Sequence, residues 1–403
     1  MLIRFVWLLP WLAALAILPL AFRRKPRLSR EPVAGGDETP FVSIIVPARD
    51  EAQELGACVA TLLRSSYPKF EVIIVDDRSR DGTREIALAM ADRSDGKVQL
   101  VHGEPLPDGW FGKPWACWQG FRQSRGELLL FTDADTRHEP TLLAHAVGAL
   151  RARGASLVSC LPRQLMQSFW ERVILPHVFL VISWRYANTM RVNREKNPRD
   201  VVANGQFMLF RRDAYVEIGG HEAVRADVVE DLMLAQRITA SGRRLVLAHA
   251  DDLMATRMYR SLGDIVEGWS KNVAIGARRT VSAWLRPFVP WLLSALIVSL
   301  WVAPPVALVV FGLGGPAAAF RWSLLVVALS VLHWAIVLGR MRVPLGYVAS
   351  YPLGALAAAA IIARSAWRGD RVVEWKGRAY GPGGHRIQRK RRRRGRSDPG
   401  APE

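Results

Sequence analysis

Residues 70–92 read FEVIIVDDRSRDGTREIALAMAD: a β-branched run ends in two aspartates, crosses a polar turn, and continues with apolar residues at helical spacing. The preceding stretch, FVSIIVPARDEAQELGACVATLLRSS at 41–66, has the same order of strand, turn and helix. VQLVHG at 98–103 is a third short strand, and ACWQGFRQSRG at 116–126 leads as a helix into the strand ELLLFTDAD at 127–135. Strands alternating with helices predict an α/β fold, a mainly parallel sheet with helices on both faces. In open sheets of that kind ligands lie beyond the carboxyl ends of the strands.

Three acidic clusters fall at those ends. Arg49, Asp50 and Glu51 follow the first strand, Asp76 and Asp77 close the second, and Asp133 and Asp135 close the fourth. Any one of them reads equally as Asx-turn chemistry in a loop. Gathered on one edge, however, carboxylates repel unless cations or hydrogen-bond donors offset them. The D-A-D spacing suits a hard divalent ion that completes its shell with waters and phosphate oxygens. Neither GxxxxGK[ST] nor GxGxxG occurs, so a bound nucleotide would need carboxylates for its base and ribose, with the metal, Lys113 or arginines taking its phosphates. Asp76 is placed for base or ribose hydrogen bonds, or for capping the turn behind it. Further on, VVEDLMLAQRI at 228–238 opens a helix with Glu230 and Asp231, where acidic residues suit the helix dipole and where a carboxylate can also act as general base.

Apolar stretches flank this middle. FVWLLPWLAALAILPLAF at 5–22, followed by RRKPRLSR at 23–30, predicts a membrane anchor in preference to a cleaved signal peptide, because no small-residue cleavage site follows and the positive charge lies after the apolar run. The positive-inside rule then keeps residues 23–286 cytoplasmic. Further apolar stretches span roughly 288–313, 322–339 and 344–364, and the tail RIQRKRRRRGR at 386–396 is strongly basic. Three crossings after the anchor would carry that tail outside, so the YPLG within 344–364 is expected to turn a re-entrant hairpin. Lys+Arg total 55 against 36 Asp+Glu, and with the excess in juxtamembrane segments and the tail its expected partner is an anionic lipid bilayer. Nucleic acid is not expected, since no nucleic-acid module signature appears. Cys58, Cys117 and Cys160 fit neither a disulfide framework nor a zinc site.

In their order, FVSIIVPARDE, FEVIIVDDRSRDGT, GKPWACWQG, LLLFTDAD, NGQFMLFRRDAYVEIGGH and VVEDLMLAQRI resemble the family 2 inverting glycosyltransferases with a GT-A fold, over about 41–275. RMYRSLGDIVEGWSKN at 257–272 and the C-terminal apolar stretches resemble a membrane branch that includes hydroxychlorobactene glucosyltransferases and hopene-associated glycosyltransferases. The resemblance implies that Asp76 contacts the nucleotide base, with Pro47, Arg49, Glu51 and Asp77 around it. It implies that Asp133 and Asp135 hold a divalent metal, Mg2+ or Mn2+, with the donor diphosphate, and that Lys113 lies near the donor sugar. Asp231 then matches the catalytic base, with Glu230 beside it. The implied reaction moves a sugar from a nucleotide-sugar donor, a UDP-sugar by preference, to a lipid hydroxyl of isoprenoid or carotenoid type. A polyprenyl-phosphate sugar synthase, a polysaccharide synthase and a non-catalytic membrane scaffold are the alternatives.

The Q-x-x-R-W signature of processive synthases is absent. In its place Leu262, Ile265, Val266 and Trp269 share one helical face, which reads either as core or as an interfacial helix over 261–275 with Trp269 at headgroup level. Arg257, Arg260 and Lys271 are the candidate diphosphate or headgroup contacts. FWERVILPHVFLVISWRYANTM at 169–190 reads as a core helix or as an acceptor element against the membrane. His177 within it reads as a satisfied polar residue, and His138 stands close to the D-A-D. The expected organisation is an anchor at 1–22, a basic linker at 23–40, the GT-A domain at 41–275, a membrane region at 286–366 and a basic tail at 367–403.

Overall fold

The strand and helix read from 70–92 are β2 (Phe70–Asp76), buried at every position, and a helix at Thr83–Asp92. The structure, a computed structural model, describes residues 8–22, 26–36, 39–186, 189–368, 373–375 and 378–380. The basic tail at 386–396, the first residues of the anchor and Arg23 to Lys25 of the basic run lie outside them. In chain order the elements are α1 (Leu9–Phe22), β1 (Val42–Ala48), α2 (Leu55–Leu63), β2, α3 (Thr83–Asp92), β3 (Val98–His102), α4 (Gly112–Gln123), β4 (Leu128–Thr132), β5 (Thr136–His138), α5 (Leu142–Ala152) and β6 (Leu157–Gln164). Then follow α6 (Phe169–Tyr186), β7 (Phe207–Arg211), α7 (Arg212–Glu217), α8 (Glu230–Ala240), β8 (Leu245–Thr256) and α9 (Leu262–Arg279).

Eight strands form one sheet in the order β3-β2-β1-β4-β7-β6-β8-β5. The half built from alternating strands and helices, β3-β2-β1-β4, is parallel throughout. Beyond it β7 runs antiparallel to both β4 and β6, and β5 antiparallel to β8, so the sheet is mixed. Alternate residues of β1 and β2 serve two cores, as the period of two requires. Ile44, Val46, Val72 and Ile74 pack with Leu55, Val59, Ala87 and Val147 on one face. Ile45, Ile73 and Val75 pack with Ala116, Cys117, Leu234 and Ile238 on the other. On that second face α4 lies so close that a Cβ on Gly120 would stand 2.5 Å from Ile45 Cγ2. Emptying the fully buried Ile45 position to alanine costs about 2–5 kcal/mol.

The C-terminal helices are α10 (Val289–Trp301), α11 (Ala303–Gly312), α12 (Ala317–Arg340) and α13 (Tyr351–Arg368). Among the described residues three 24-residue stretches are long and apolar enough to cross a membrane: Val289–Gly312, Ala317–Arg340 and Leu345–Arg368. The first is interrupted at Val302 ahead of Pro304 and Pro305, which supply no N–H to the helix ladder. The carbonyl that Pro304 leaves open, that of Leu300, accepts Trp11 Nε1 at 3.0 Å. Trp11 also meets Trp322 edge-on at 6.0 Å, so α1 is part of this bundle. As described, α1 has 14 residues. At about 1.5 Å per residue that is shorter than a hydrocarbon core of about 30 Å.

Two expectations are corrected here. YPLG does not turn a hairpin: Tyr351 and Pro352 open α13, because proline in a first helical turn loses no hydrogen bond and starts a helix. Gly354 instead permits close contact, since a Cβ there would stand 2.2 Å from the carbonyl oxygen of Val173 on α6. Nor is Trp269 at headgroup level. Ser261 and Asp264 form a capping box that starts α9, and its apolar stripe turns Ile265 and Trp269 into a core shared with Val173, Ile174, Val178, Ala358 and Ile361. Phe179 meets the Trp269 ring at 5.7 Å, so Ile265 and Trp269 of that stripe are interior while Leu262 at its start is exposed.

Candidate active site

The carboxyl ends of β1, β2 and β4 share one edge, with Ala48 opposite Asp76 and Asp76 opposite His102 in register. Asp76 is buried, and its Oδ1 accepts Ser79 N–H at 3.1 Å, the turn-capping bond expected of an Asx turn. Arg49 folds back from the end of β1 and donates Nη1 to the Asp77 carbonyl at 2.5 Å, with the Asp77 carboxylate 4.0 Å away. Glu51 gives its N–H to Thr83 Oγ1 at 2.7 Å, which joins the two turns. Pro47 lies one residue before Ala48, opposite Val75. This cluster is a rigid polar shelf at the ends of β1 and β2.

Lys113 enters from the first turn of α4. Its Nζ is 2.8 Å from Asp133 Oδ1 and 3.0 Å from Glu230 Oε1, so one ammonium ties the β4 turn to the start of α8. Burial works against that ammonium, but Asp133 and Glu230 outweigh it and hold Lys113 well above its ordinary pKa. Asp231 is fixed from two sides: Gly205 N–H donates to Oδ2 at 3.0 Å and Leu232 N–H to Oδ1 at 2.8 Å. Gly205 fits because a Cβ there would come within 3.1 Å of Lys113 Nζ and 3.3 Å of Asp231 Oδ2. Burial raises the pKa of both Glu230 and Asp231, with Lys113 pulling the other way.

Asp135 stands apart. Its Oδ1 is buried with no hydrogen-bond partner, and burial, with the charges of Asp133 and Glu51, pushes its carboxyl up to about 7. A buried carboxylate oxygen that lacks a donor beside a second carboxylate is the chemistry that a hard divalent cation relieves. Among the described residues no three His, Cys, Asp or Glu side chains converge as a complete metal cage. A divalent ion at this turn would take only carboxylate edges from these residues, as a phosphate-bound ion does. His138 is not part of it: its Nε2 meets Thr136 Oγ1 at 2.8 Å, and burial, then Arg137, lowers it to about 3, leaving a neutral strut behind the turn.

Arg257 and Arg260 point elsewhere. Arg257 holds the fully buried Glu171 through Nε at 2.9 Å and Nη2 at 3.1 Å. Arg260 pairs with Glu54 and donates to Gln53 Oε1 at 2.7 Å, while Arg137 takes the other oxygen of Glu54. Lys271 lies half-buried on α9, two residues past Trp269. His177 gives Nδ1 a partner in the Val173 carbonyl at 3.0 Å and stacks on Trp334 at 3.7 Å. Sequence reasoning missed Gly205, whose only signal was its place in NGQ before a strand. It also missed Tyr259, whose phenol is raised by burial and then by Asp135 and Asp133.

Residues 43–219 match the model of Glycosyl transferase family 2. The chain carries a glycosyl transferase family 2 domain and is a glycosyltransferase. Among curated proteins it is similar to the 4,4'-diaponeurosporenoate glycosyltransferases of Staphylococcus haemolyticus and Staphylococcus aureus. The first is 25% identical over 281 residues, covering 69% of this chain and 72% of that protein. The second is 24% identical over 259 residues, covering 63% and 66%. Among solved structures, the mannosyltransferase PcManGT of Pyrobaculum calidifontis, in complex with GDP-Man and Mn2+, aligns with TM-score 0.53 at 19% identity over 91% of this chain and 97% of its own. That alignment extends the family domain to a shared fold along most of this transferase.

Proposed function

We propose that this glycosyltransferase moves a sugar from a nucleotide-sugar donor to a hydroxyl or carboxyl oxygen of a carotenoid-like lipid, with inversion at the anomeric carbon. The observation that carries the reading is the Lys113 bridge from Asp133 to Glu230, which sets the D-A-D turn beside Asp231. The relatives' names support an isoprenoid acid acceptor, and the apolar C-terminal helices support a multi-pass membrane protein. RRKPRLSR supports a cytoplasmic catalytic domain.

The donor's base and ribose lie on the shelf of Pro47, Arg49, Glu51, Asp76 and Asp77, where a uracil nucleotide fits the short acidic turn. Asp133 and Asp135 would hold a divalent magnesium or manganese ion, whose chemistry is Lewis-acid neutralisation of the leaving diphosphate. Lys113, already charged, adds a fixed cation at the same place. Asp231, held by two backbone N–H groups, takes the acceptor proton where the acceptor is a hydroxyl. The acceptor oxygen forms its bond to the anomeric carbon as the bond to the diphosphate breaks on the opposite face, and the electron pair leaves with the nucleoside diphosphate.

Asp231→Asn is isosteric, and expected to keep donor affinity within about twofold while transfer to a hydroxyl acceptor falls by at least about 100-fold. Radiolabelled donor binding and product extraction measure the two separately. Parallel loss of both would remove Asp231 from the proton-transfer role.

A further inference from the structure

We infer that the corner where α9 turns into α10, together with the last turn of α13, is a docking surface for anionic phospholipid headgroups. The inference rests on the membrane-bound reading above and moves the headgroup contacts away from the residues that the sequence suggested. Arg257 and Arg260 are engaged by Glu171 and Glu54, and Trp269 is core. Fifteen to twenty-two residues past Trp269, and again at Trp367, the chemistry reverses. Trp284 is 71% exposed, Phe288 59%, Trp291 46% and Trp367 81%, with Arg286 exposed among them.

These residues share one end of the helical bundle. Ala274 N–H donates to Ser365 Oγ at 3.1 Å, Arg278 Nη2 reaches the Ala366 carbonyl at 3.4 Å, and Ser294 Oγ bonds the Ala359 carbonyl at 3.1 Å. Ala366, the residue before Trp367, therefore lies against the last turn of α9, which leads into the turn that carries Trp284. Large amphipathic rings at the mouth of an apolar bundle match the headgroup level of a bilayer, where one face of the ring is apolar and its N–H is wet. Charge selects the lipid. Five arginines here, 278, 279, 286, 364 and 368, face two described carboxylate partners: Asp227 for Arg279, and Glu267 for both Arg364 and Arg368. Arg278 spends Nη2 on the Ala366 carbonyl and has no carboxylate partner among the described residues, so its charge is left for a lipid phosphate.

The corner is also tied to the active site. Arg279 Nη2 holds Asp227 Oδ1 at 2.9 Å, three residues before Glu230. Docking thus sets the loop before α8 against the leaflet that supplies the lipid acceptor.

The test uses the purified full chain in detergent and native mass spectrometry with phosphatidylglycerol, phosphatidylcholine or inorganic phosphate as probe. The wild-type chain should retain phosphatidylglycerol about fivefold more than phosphatidylcholine, and Arg278→Gln with Arg286→Gln should abolish that preference. Trp284→Ala with Trp367→Ala should weaken both lipids and leave the preference in place. Equal retention of the two lipids by wild type, an unchanged preference in the arginine variant, or displacement of lipid by millimolar inorganic phosphate would each overturn the inference. A wild-type chain found in the soluble fraction of lysed cells would overturn the membrane reading instead.

Discussion

At the candidate edge Lys113 bridges Asp133 and Glu230 with Asp135 and Asp231 close enough to feel its charge, whereas the two arginines just after β8 each have a carboxylate, Arg257 with Glu171 and Arg260 with Glu54, which Arg137 of β5 shares. The two regions are separated by a short run of chain and obey opposite rules. Structural charges are matched pairwise, because a buried ion without its partner costs several kcal/mol. At the proposed site the charges are left in excess, as the proposed donor diphosphate with its cation requires. The excess shows physically as raised carboxyl pKa values at Asp135, Glu230 and Asp231, each caused first by burial. At Glu171, where burial also acts to raise, the Arg257 bond and the N–H groups of Ser168 and Gln167 leave the pKa lowered.

The sharpest way to break this contrast is to remove the one cation from the catalytic edge. Lys113→Met keeps the length of the side chain and deletes its charge. It is expected to lower transfer by about 10³-fold, or about 4 kcal/mol, because a preorganised cation at a leaving diphosphate is worth that much. Steady-state rates at saturating donor measure it. A loss below about tenfold would mean that the Asp133–Lys113–Glu230 bridge is scaffolding.

The same deletion in the matched region should act on stability. Arg257→Met leaves Glu171, fully buried, with only its N–H partners, and is expected to cost about 3 kcal/mol of folding stability. Transfer per folded molecule should change less than about threefold, since Arg257 makes no contact with the edge. Urea titration followed by tryptophan fluorescence reads the stability. A variant that folds normally and loses turnover would move Arg257 into the donor site, where the sequence allowed it.

How much of this was legible follows the same division. Periodicity and strand-end placement carried β1, β2, β3 and β4, and with them Asp76, Asp133 and Asp135, because local alternation and the carboxyl-end rule need no tertiary information. The antiparallel β7 was not legible as such: a five-residue strand with four buried positions reads alike in either direction. Trp269 and the YPLG turn were misplaced for one reason. An apolar stripe or a proline near a helix end describes what a segment can do, and only the facing surface, here α6 against α9 and α13, decides which. The partner of Arg257 lies 86 residues away in α6, a pairing that no spacing rule reaches.

The smallest effect separates the two regions by pH. In the folded chain Asp135 is pushed up to about 7 from an ordinary 3.8. The native state therefore keeps a proton that the unfolded chain has lost across that window, and stability falls as pH rises from about 4 to about 7. Asp135→Asn has no such proton to lose. In metal-free buffer it should match the wild type near pH 4 and exceed it at pH 8, read as a higher Tm at the upper pH. Glu171→Gln should show the opposite sign, weaker than wild type at pH 8, since its pKa is lowered and its stabilisation grows above the ordinary carboxylate range. Thermal scans of the three proteins at both pH values decide it. Parallel curves for Asp135→Asn and wild type would mean that Asp135 has a compensating donor, and that the catalytic edge is matched like the rest of the molecule.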